Sequence, residues 1–290
     1  MSLKVVLSSL RPTQWVKNFF LFAALVFSRN LVETERSLQV FWAFVLFCLL
    51  TSGTYLINDL FDLQEDRKHP LKSKRPIPSG RLSKGSAIGL AAVCIILSLV
   101  LSFRLHPHFG LVTAAYFIIN LAYSAYLKHV VILDVMLIAF GFVLRAVGGA
   151  VVIEAEISSW LLICTILIAL FLALSKRRHE LTVLAEHSTD HRRVLGEYSP
   201  YFLDQMIAVV TASTLMSYIL YTLSADVISK FGTTNLKFTI PFVLYGIFRY
   251  LYLVHRQAKG GSPTQILLTD RPLMLDILLW FIAVWTILYR

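Results

Sequence analysis

Three carboxylates, Asp59, Asp62 and Asp66, stand three and four residues apart, and Asn58 precedes Asp62 by four. On a helix that spacing gathers all four side chains on one stripe. Clustered carboxylates repel one another and call for a counter-charge. A hard, oxygen-seeking cation such as Mg²⁺ answers that need, since it reaches proteins through a few carboxylates together with substrate phosphates. Asn58, Asp59, Asp62 and Asp66 are therefore the candidate metal ligands. A basic turn follows at once, Lys72-Ser73-Lys74-Arg75-Pro76-Ile77-Pro78-Ser79-Gly80-Arg81, with two prolines and a glycine to shape it. A positive cytoplasmic loop explains cations here but not their tight placement after the acids. Cations on a diphosphate whose metal the acids hold make the fuller account; a solvated polar helix end beside a membrane is the plain alternative.

Further candidates lie along the chain. Arg11 and Lys17 flank Trp15 in Arg11-Pro12-Thr13-Gln14-Trp15-Val16-Lys17-Asn18 and suit either an interfacial anchor or phosphate binding. Tyr123 and Tyr126 precede Lys128 at the end of an apolar run, where tyrosines are also ordinary belt residues. Asp134 opens the next run. Arg145 lies about 16 Å further along the same helix and is followed by Gly148 and Gly149. A charge at that depth is functional by default, with a structural pair inside the bundle as the alternative. Lys176, Arg177, Arg178 and Glu180 present cations and an acid on one helix face, before a long polar loop that holds Asp190, Arg192, Arg193 and Tyr198. Such loops often serve as lids.

The elements that must carry these residues are membrane helices. Of 290 residues 57% are hydrophobic and only 15% charged, and the mean hydropathy is +0.70. A soluble domain cannot hide that much apolar surface, so the chain is expected to be an all-α, polytopic membrane protein. Apolar runs predict nine spans, near 15–31, 38–58, 86–104, 109–127, 130–152, 158–176, 203–225, 238–255 and 273–289. No small-residue cleavage site follows the first, which is read as a retained helix. With the N-terminus inside, the inner segments carry nineteen of the 27 Lys and Arg residues, which places the N-terminus and the acidic motif in the cytoplasm. The net charge of +10 is thereby concentrated on one membrane face, where it meets lipid headgroups or phosphorylated substrates; it is not a nucleic-acid signature. Cys48, Cys94 and Cys164 fall in separate spans and read as small buried hydrophobes. His187 and His191 are four apart but show no zinc pattern. Asp270-Arg271-Pro272 reads better as a connector than as a substrate contact. No repeat or low-complexity tract divides the chain, so residues 1–290 are expected to form one membrane domain.

At this point a resemblance is legible. Asn58-Asp59-x-x-Asp62-x-x-x-Asp66 at the end of the second span resembles the first aspartate-rich motif of the UbiA superfamily of intramembrane prenyltransferases, and Tyr123 to Lys128 resembles its tyrosine-and-lysine motif. Within it the chain is most similar to the decaprenyl-phosphate phosphoribosyltransferase family. The residues that carry this are Arg11-Pro12-x-Gln14-Trp15-x-Lys17-Asn18, Lys74 to Gly80, Leu127-Lys128-His129 with Asp134, and Gly141-Phe142-x-Leu144-Arg145.

The resemblance implies a nine-helix UbiA-type bundle with cytoplasmic active-site loops. It also implies Mg²⁺-dependent transfer of 5-phosphoribose from phosphoribosyl diphosphate to a polyprenyl phosphate, with release of diphosphate. Asp59, Asp62, Asp66 and Lys128 would be catalytic. Arg11, Lys17, Asn58, Lys72, Lys74, Arg75, Tyr123, Tyr126, Asp134, Arg145, Lys176, Arg177, Arg178, Glu180 and Tyr198 would bind substrate. Where prenyltransferases carry a second acidic motif, this chain has Lys176-Arg177-Arg178-His179-Glu180; cations there suit a site crowded with phosphates. An aromatic prenyltransferase and a lipid transporter are the rival readings. The oligomeric state is open between monomer and homo-oligomer.

Overall fold

Long apolar runs must satisfy their own backbone hydrogen bonds in a bilayer, and helices do so within one segment. In the computed structural model, which describes residues 2–68, 72–183, 193–256 and 263–289, the elements are all helices. Among the described residues, eight helices are long and apolar enough to cross a membrane: Thr34–Phe61, Lys84–Leu105, Pro107–Ala125, Leu133–Val152, Ser159–Thr182, Pro200–Leu223, Asn235–His255 and Arg271–Tyr289. They coincide with eight of the nine expected spans.

The first expected span, 15–31, differs. It is a 3₁₀ helix, Pro12–Leu21, running into a short α-helix, Phe22–Phe27. In a 3₁₀ helix residues three apart eclipse one another. Asn18 and Leu21 accordingly share one buried face with Trp15. That face is stitched to its neighbour: Trp15 Nε1 donates to Ser52 Oγ at 3.0 Å, and Asn18 Nδ2 donates to Thr51 Oγ1 at 3.2 Å. Trp15 is thus a packed, hydrogen-bonded residue. At about 2.0 Å per 3₁₀ residue and about 1.5 Å per α residue the whole segment reaches about 29 Å, close to the ~30 Å of a hydrocarbon core.

The chain divides into two compact units, and each is described by itself. The first, residues 2–157 with Arg193–Glu197, contains α1 (Leu3–Ser9), the 3₁₀ segment, α2 (Phe22–Phe27), α3 (Thr34–Phe61), α4 (Leu63–Lys68), α5 (Lys84–Leu105), α6 (Pro107–Ala125) and α7 (Leu133–Val152). Its core is built on Leu21, Val40, Phe47, Leu50, Phe109 and Tyr116. Small residues let its helices approach, as membrane bundles require. A Cβ on Gly53 of α3 would lie 2.6 Å from Ile95 Cγ1 of α5, and one on Gly149 of α7 would overlap the Leu21 carbonyl. The second unit, residues 158–183 and 198–289, contains α8 (Ser159–Val183), α9 (Pro200–Leu223), α10 (Ala225–Phe231), α11 (Ile240–Arg256), α12 (Pro263–Thr269) and α13 (Arg271–Tyr289). Trp280 of α13 donates to the Tyr218 hydroxyl of α9 at 2.9 Å. Arg249 of α11 grips Asp270 with two bonds, 3.1 and 2.9 Å, and Asp270 also accepts the Leu273 amide at 3.0 Å. Asp270 is therefore a structural connector.

Candidate active site

Helix α3 ends at Phe61, and Asp62 is its C-cap (φ −88°, ψ 10°) before α4 begins at Leu63. That break splits the acidic stripe. Asp59, in the last turn of α3, and Asp66, in α4, converge on a single nitrogen. Arg75 Nη1 lies 3.0 Å from Asp59 Oδ1 and 2.7 Å from Asp66 Oδ2. Arg11 Nη2 bonds the same Asp59 Oδ1, and Lys72 Nζ lies 3.5 Å from Asp66. Asp62 turns elsewhere: Lys128 Nζ pairs with its Oδ1, and Asn58 Nδ2 donates to its Oδ2 at 2.9 Å. Asn58 Oδ1 accepts from Ser124 Oγ at 3.1 Å, so the end of α6 is tied to the acidic turn.

The expected quartet of Asn58, Asp59, Asp62 and Asp66 does not converge. Among the described residues, no three of His, Cys, Asp or Glu come together as a metal cage. The cause is the helix end at Asp62, which sends that carboxylate to Lys128. Asp59 and Asp66 remain an oxygen-only pair aimed at one point. A pair suits Mg²⁺, which typically takes one or two protein carboxylates and fills its shell with water and substrate phosphate.

The sequence explains why these groups meet. The basic turn is closed by Ser79 N to Arg75 O (3.0 Å) and Leu82 N to Pro76 O (2.9 Å), with Gly80 at φ 78°. Its Pro76, Ile77 and Pro78 are buried, which fixes Arg75 above the acids. Arg11 takes a left-handed conformation (φ 52°, ψ 58°), uncommon for a non-glycine residue, where α1 gives way to the 3₁₀ segment. Its guanidinium lies 5.0 Å from the Tyr55 ring centroid, and Lys17 Nζ lies 3.5 Å from the Tyr55 hydroxyl. Ser8, Arg11, Gln14, Asp59, Lys74 and Arg75 border a cavity of about 460 Å³. Lys74, exposed at its rim, makes no ion pair with any described residue.

Tyr123 is half-buried, and Tyr126 is 68% exposed beyond the end of α6. Asp134 is buried in the first turn of α7, where the helix dipole favours an acid. Arg145 is buried at mid-helix, well away from Asp134 in sequence. It donates to Asn18 Oδ1, Gly141 O and the Tyr116 hydroxyl, each at 2.8 Å, with the Tyr116 ring 4.9 Å away. All three acceptors are neutral, so it anchors the 3₁₀ segment to α6 and α7. Lys176, Arg177, Arg178, Glu180 and Tyr198 belong to the second unit. Arg177 and Lys176 pair with Glu180 at 2.7 and 3.7 Å, while Arg178 bonds Asp204 of α9 at 2.6 Å. Tyr198 stacks on Phe202 with centroids 6.2 Å apart. His187, Asp190, His191 and Arg192 lie outside the described residues, as do Gly260 and Gly261. Sequence reasoning passed over Ser124, Tyr55 and Ser8. Tyr55 had a signal, four residues before Asp59 on the same helix face; a lone serine has none.

Fold and site together define a polytopic helical membrane protein with an acid–cation cluster where α3 and α6 of its first unit end. Solved structures share the architecture. A UbiA homolog from Archaeoglobus fulgidus bound to GPP and Mg²⁺ superposes with a TM-score of 0.72 at 19% identity, covering 99% of this chain and all of that one. The sequence profile of the UbiA prenyltransferase family matches residues 18–267, and the chain belongs to that family. Decaprenyl-phosphate phosphoribosyltransferase of Corynebacterium glutamicum is 33% identical over 96% of this chain and 85% of its own length. The protein of the same name from Mycolicibacterium smegmatis is 32% identical over 98% and 92%.

Proposed function

We propose that the whole chain is one membrane-bound transferase domain that moves 5-phosphoribose from phosphoribosyl diphosphate to a polyprenyl phosphate. The observation that carries this is the charge balance around the acids. Arg11, Lys72, Arg75 and Lys128 pair with three carboxylates, and Lys74 borders the same cavity, so the cluster keeps positive charge to spare. A donor with a diphosphate and a further phosphate is met by such a site. Relatives of nearly equal length bear the name of this reaction.

Asp59 and Asp66 would hold Mg²⁺, which when bound supplies charge neutralisation at the diphosphate. Arg75, Arg11 and Lys128 hold the diphosphate and stabilise it as it leaves with the electron pair of the ribose C1–O bond. A lipid-phosphate oxygen forms the new bond to C1. That phosphate is already an anion, so no strong general base is needed. In the second unit we assign anion docking to Lys176, the most exposed of the three clustered cations and the most loosely paired, 3.7 Å from Glu180, whereas Arg177 and Arg178 are held at 2.7 and 2.6 Å by Glu180 and Asp204. The site faces the cytoplasm by the distribution of Lys and Arg.

The test is purified protein with Mg²⁺, labelled phosphoribosyl diphosphate and polyprenyl phosphate. Label moves into the lipid phase, and chelation stops it. Label that stays in water while a prenyl diphosphate is consumed with an aromatic acceptor gives the site to prenyl transfer instead.

A further inference from the structure

The point on which Asp59 and Asp66 converge is already filled by Arg75 Nη1, and the same arginine borders the 460 Å³ cavity. A divalent cation shared by those carboxylates needs that point, and a guanidinium cannot share it, since two cations at contact repel. Asp59 Oδ1 is doubly engaged, by Arg75 and by Arg11, which borders the cavity too. The cavity offers these arginines somewhere to go. Among the described residues that line it, Asp59 is the one acid; Lys74 adds a charge with no ion pair among them, and Ser8, Thr13 and Gln14 add neutral donors. A phosphoryl group there presents several acceptor oxygens and up to two negative charges, a stronger partner for a guanidinium than one shared carboxylate oxygen.

We propose that this cavity is a phosphoryl-anion subsite, and that filling it draws Arg75 and Arg11 off Asp59 and so opens the Asp59–Asp66 pair to the divalent cation. Arg75 is then an internal counter-ion that keeps the acids closed until an anion arrives. Anion and metal bind cooperatively, each raising the other's affinity by the same factor. The inference rests on the transfer reading for the identity of the anion and on the geometry for the coupling.

Mn²⁺ binding to the full chain in detergent, followed by electron paramagnetic resonance of the free ion, tests it without turnover. Inorganic phosphate, which holds Mn²⁺ weakly in solution, is the first anion, and polyprenyl phosphate in the micelle is the second. Phosphate is expected to tighten Mn²⁺ binding to the wild type at least tenfold. Arg75→Gln is expected to bind Mn²⁺ alone at least tenfold more tightly than the wild type and to lose most of the anion effect. Lys74→Gln, at an exposed position that does not threaten folding, is expected to leave binding of Mn²⁺ alone unchanged and to weaken the response to phosphate. Tightening by the lipid phosphate alone keeps the subsite and assigns it to the acceptor. Mn²⁺ affinity indifferent to both anions overturns the proposal, as does an undiminished phosphate response in Lys74→Gln. If the coupling is absent while label still passes from donor to lipid, the transfer reading stands and this inference falls; intact coupling without label transfer does the reverse.

Discussion

Lys128 is 8% exposed and faces Asp62, with Asn58 completing the contact. Removing one charge of such a pair leaves the other buried without its partner, whereas removing both does not. Asp62→Asn is expected to fold and to lose at least about 100-fold in transfer rate, on the scale of a lost electrostatic stabiliser. Lys128→Met should do the same, and the double variant should be no worse than the poorer single within about threefold, because the two act as one unit. Label transfer measured for all three variants, with circular dichroism as the folding control, decides it; losses that multiply mean that the pair is not a unit. Asp59→Asn should be more damaging than Asp62→Asn, since Asp59 alone is shared by two arginines.

At the level of elements, the 3₁₀ segment holds the first unit in register. It meets α3 through Trp15 and Asn18, meets α7 at Gly149, and receives Arg145 from within α7. Arg145→Ala strips two buried side-chain acceptors, Asn18 Oδ1 and the Tyr116 hydroxyl, of their donor, while Gly141 O keeps its helical amide. Each such loss costs about 1–3 kcal/mol, offset in part by the relieved burial of a charge, so a net loss of about 2–4 kcal/mol is expected. Gly149→Ala puts a methyl into the Leu21 carbonyl, and neither backbone can yield without moving its helix; about 1–3 kcal/mol is expected. Thermal unfolding in detergent measures both. A Gly149→Ala variant as stable as the wild type would mean that α7 and the 3₁₀ segment are not in close contact.

For the molecule as a whole, the distribution of Lys and Arg and the number of crossings make separate predictions. Ser79→Cys stands on an exposed turn, whereas the native cysteines lie in spans, with Cys48 and Cys94 buried. A membrane-impermeant maleimide should reach Cys at position 79 in inverted vesicles and not in intact cells; labelling of intact cells would reverse the orientation. Eight crossings leave both termini on one side, and nine place them on opposite sides. The ~29 Å reach of residues 12–27 argues for nine, so a C-terminal reporter should be active outside the cell.

Hydropathy is a local, additive property, and so eight spans, the membrane class and the acidic motif at the end of α3 are legible in the sequence within a few residues. The turn at 75–82 is legible for the same reason, since its prolines and glycine act on their own backbone. Pairing is different. That Asp59 and Asp66 meet one nitrogen of Arg75 while Asp62 leaves for Lys128 depends on a helix end at Asp62 and on a serine, Ser124, brought from another span. That residues 12–21 wind as 3₁₀ depends on hydroxyls of α3 and on the Arg145 side chain, which lie far along the chain. Spacing states which charges are available; only tertiary structure decides which of them neutralise one another, because Coulomb and hydrogen-bond energies fall off with distance in space and take no account of distance in sequence.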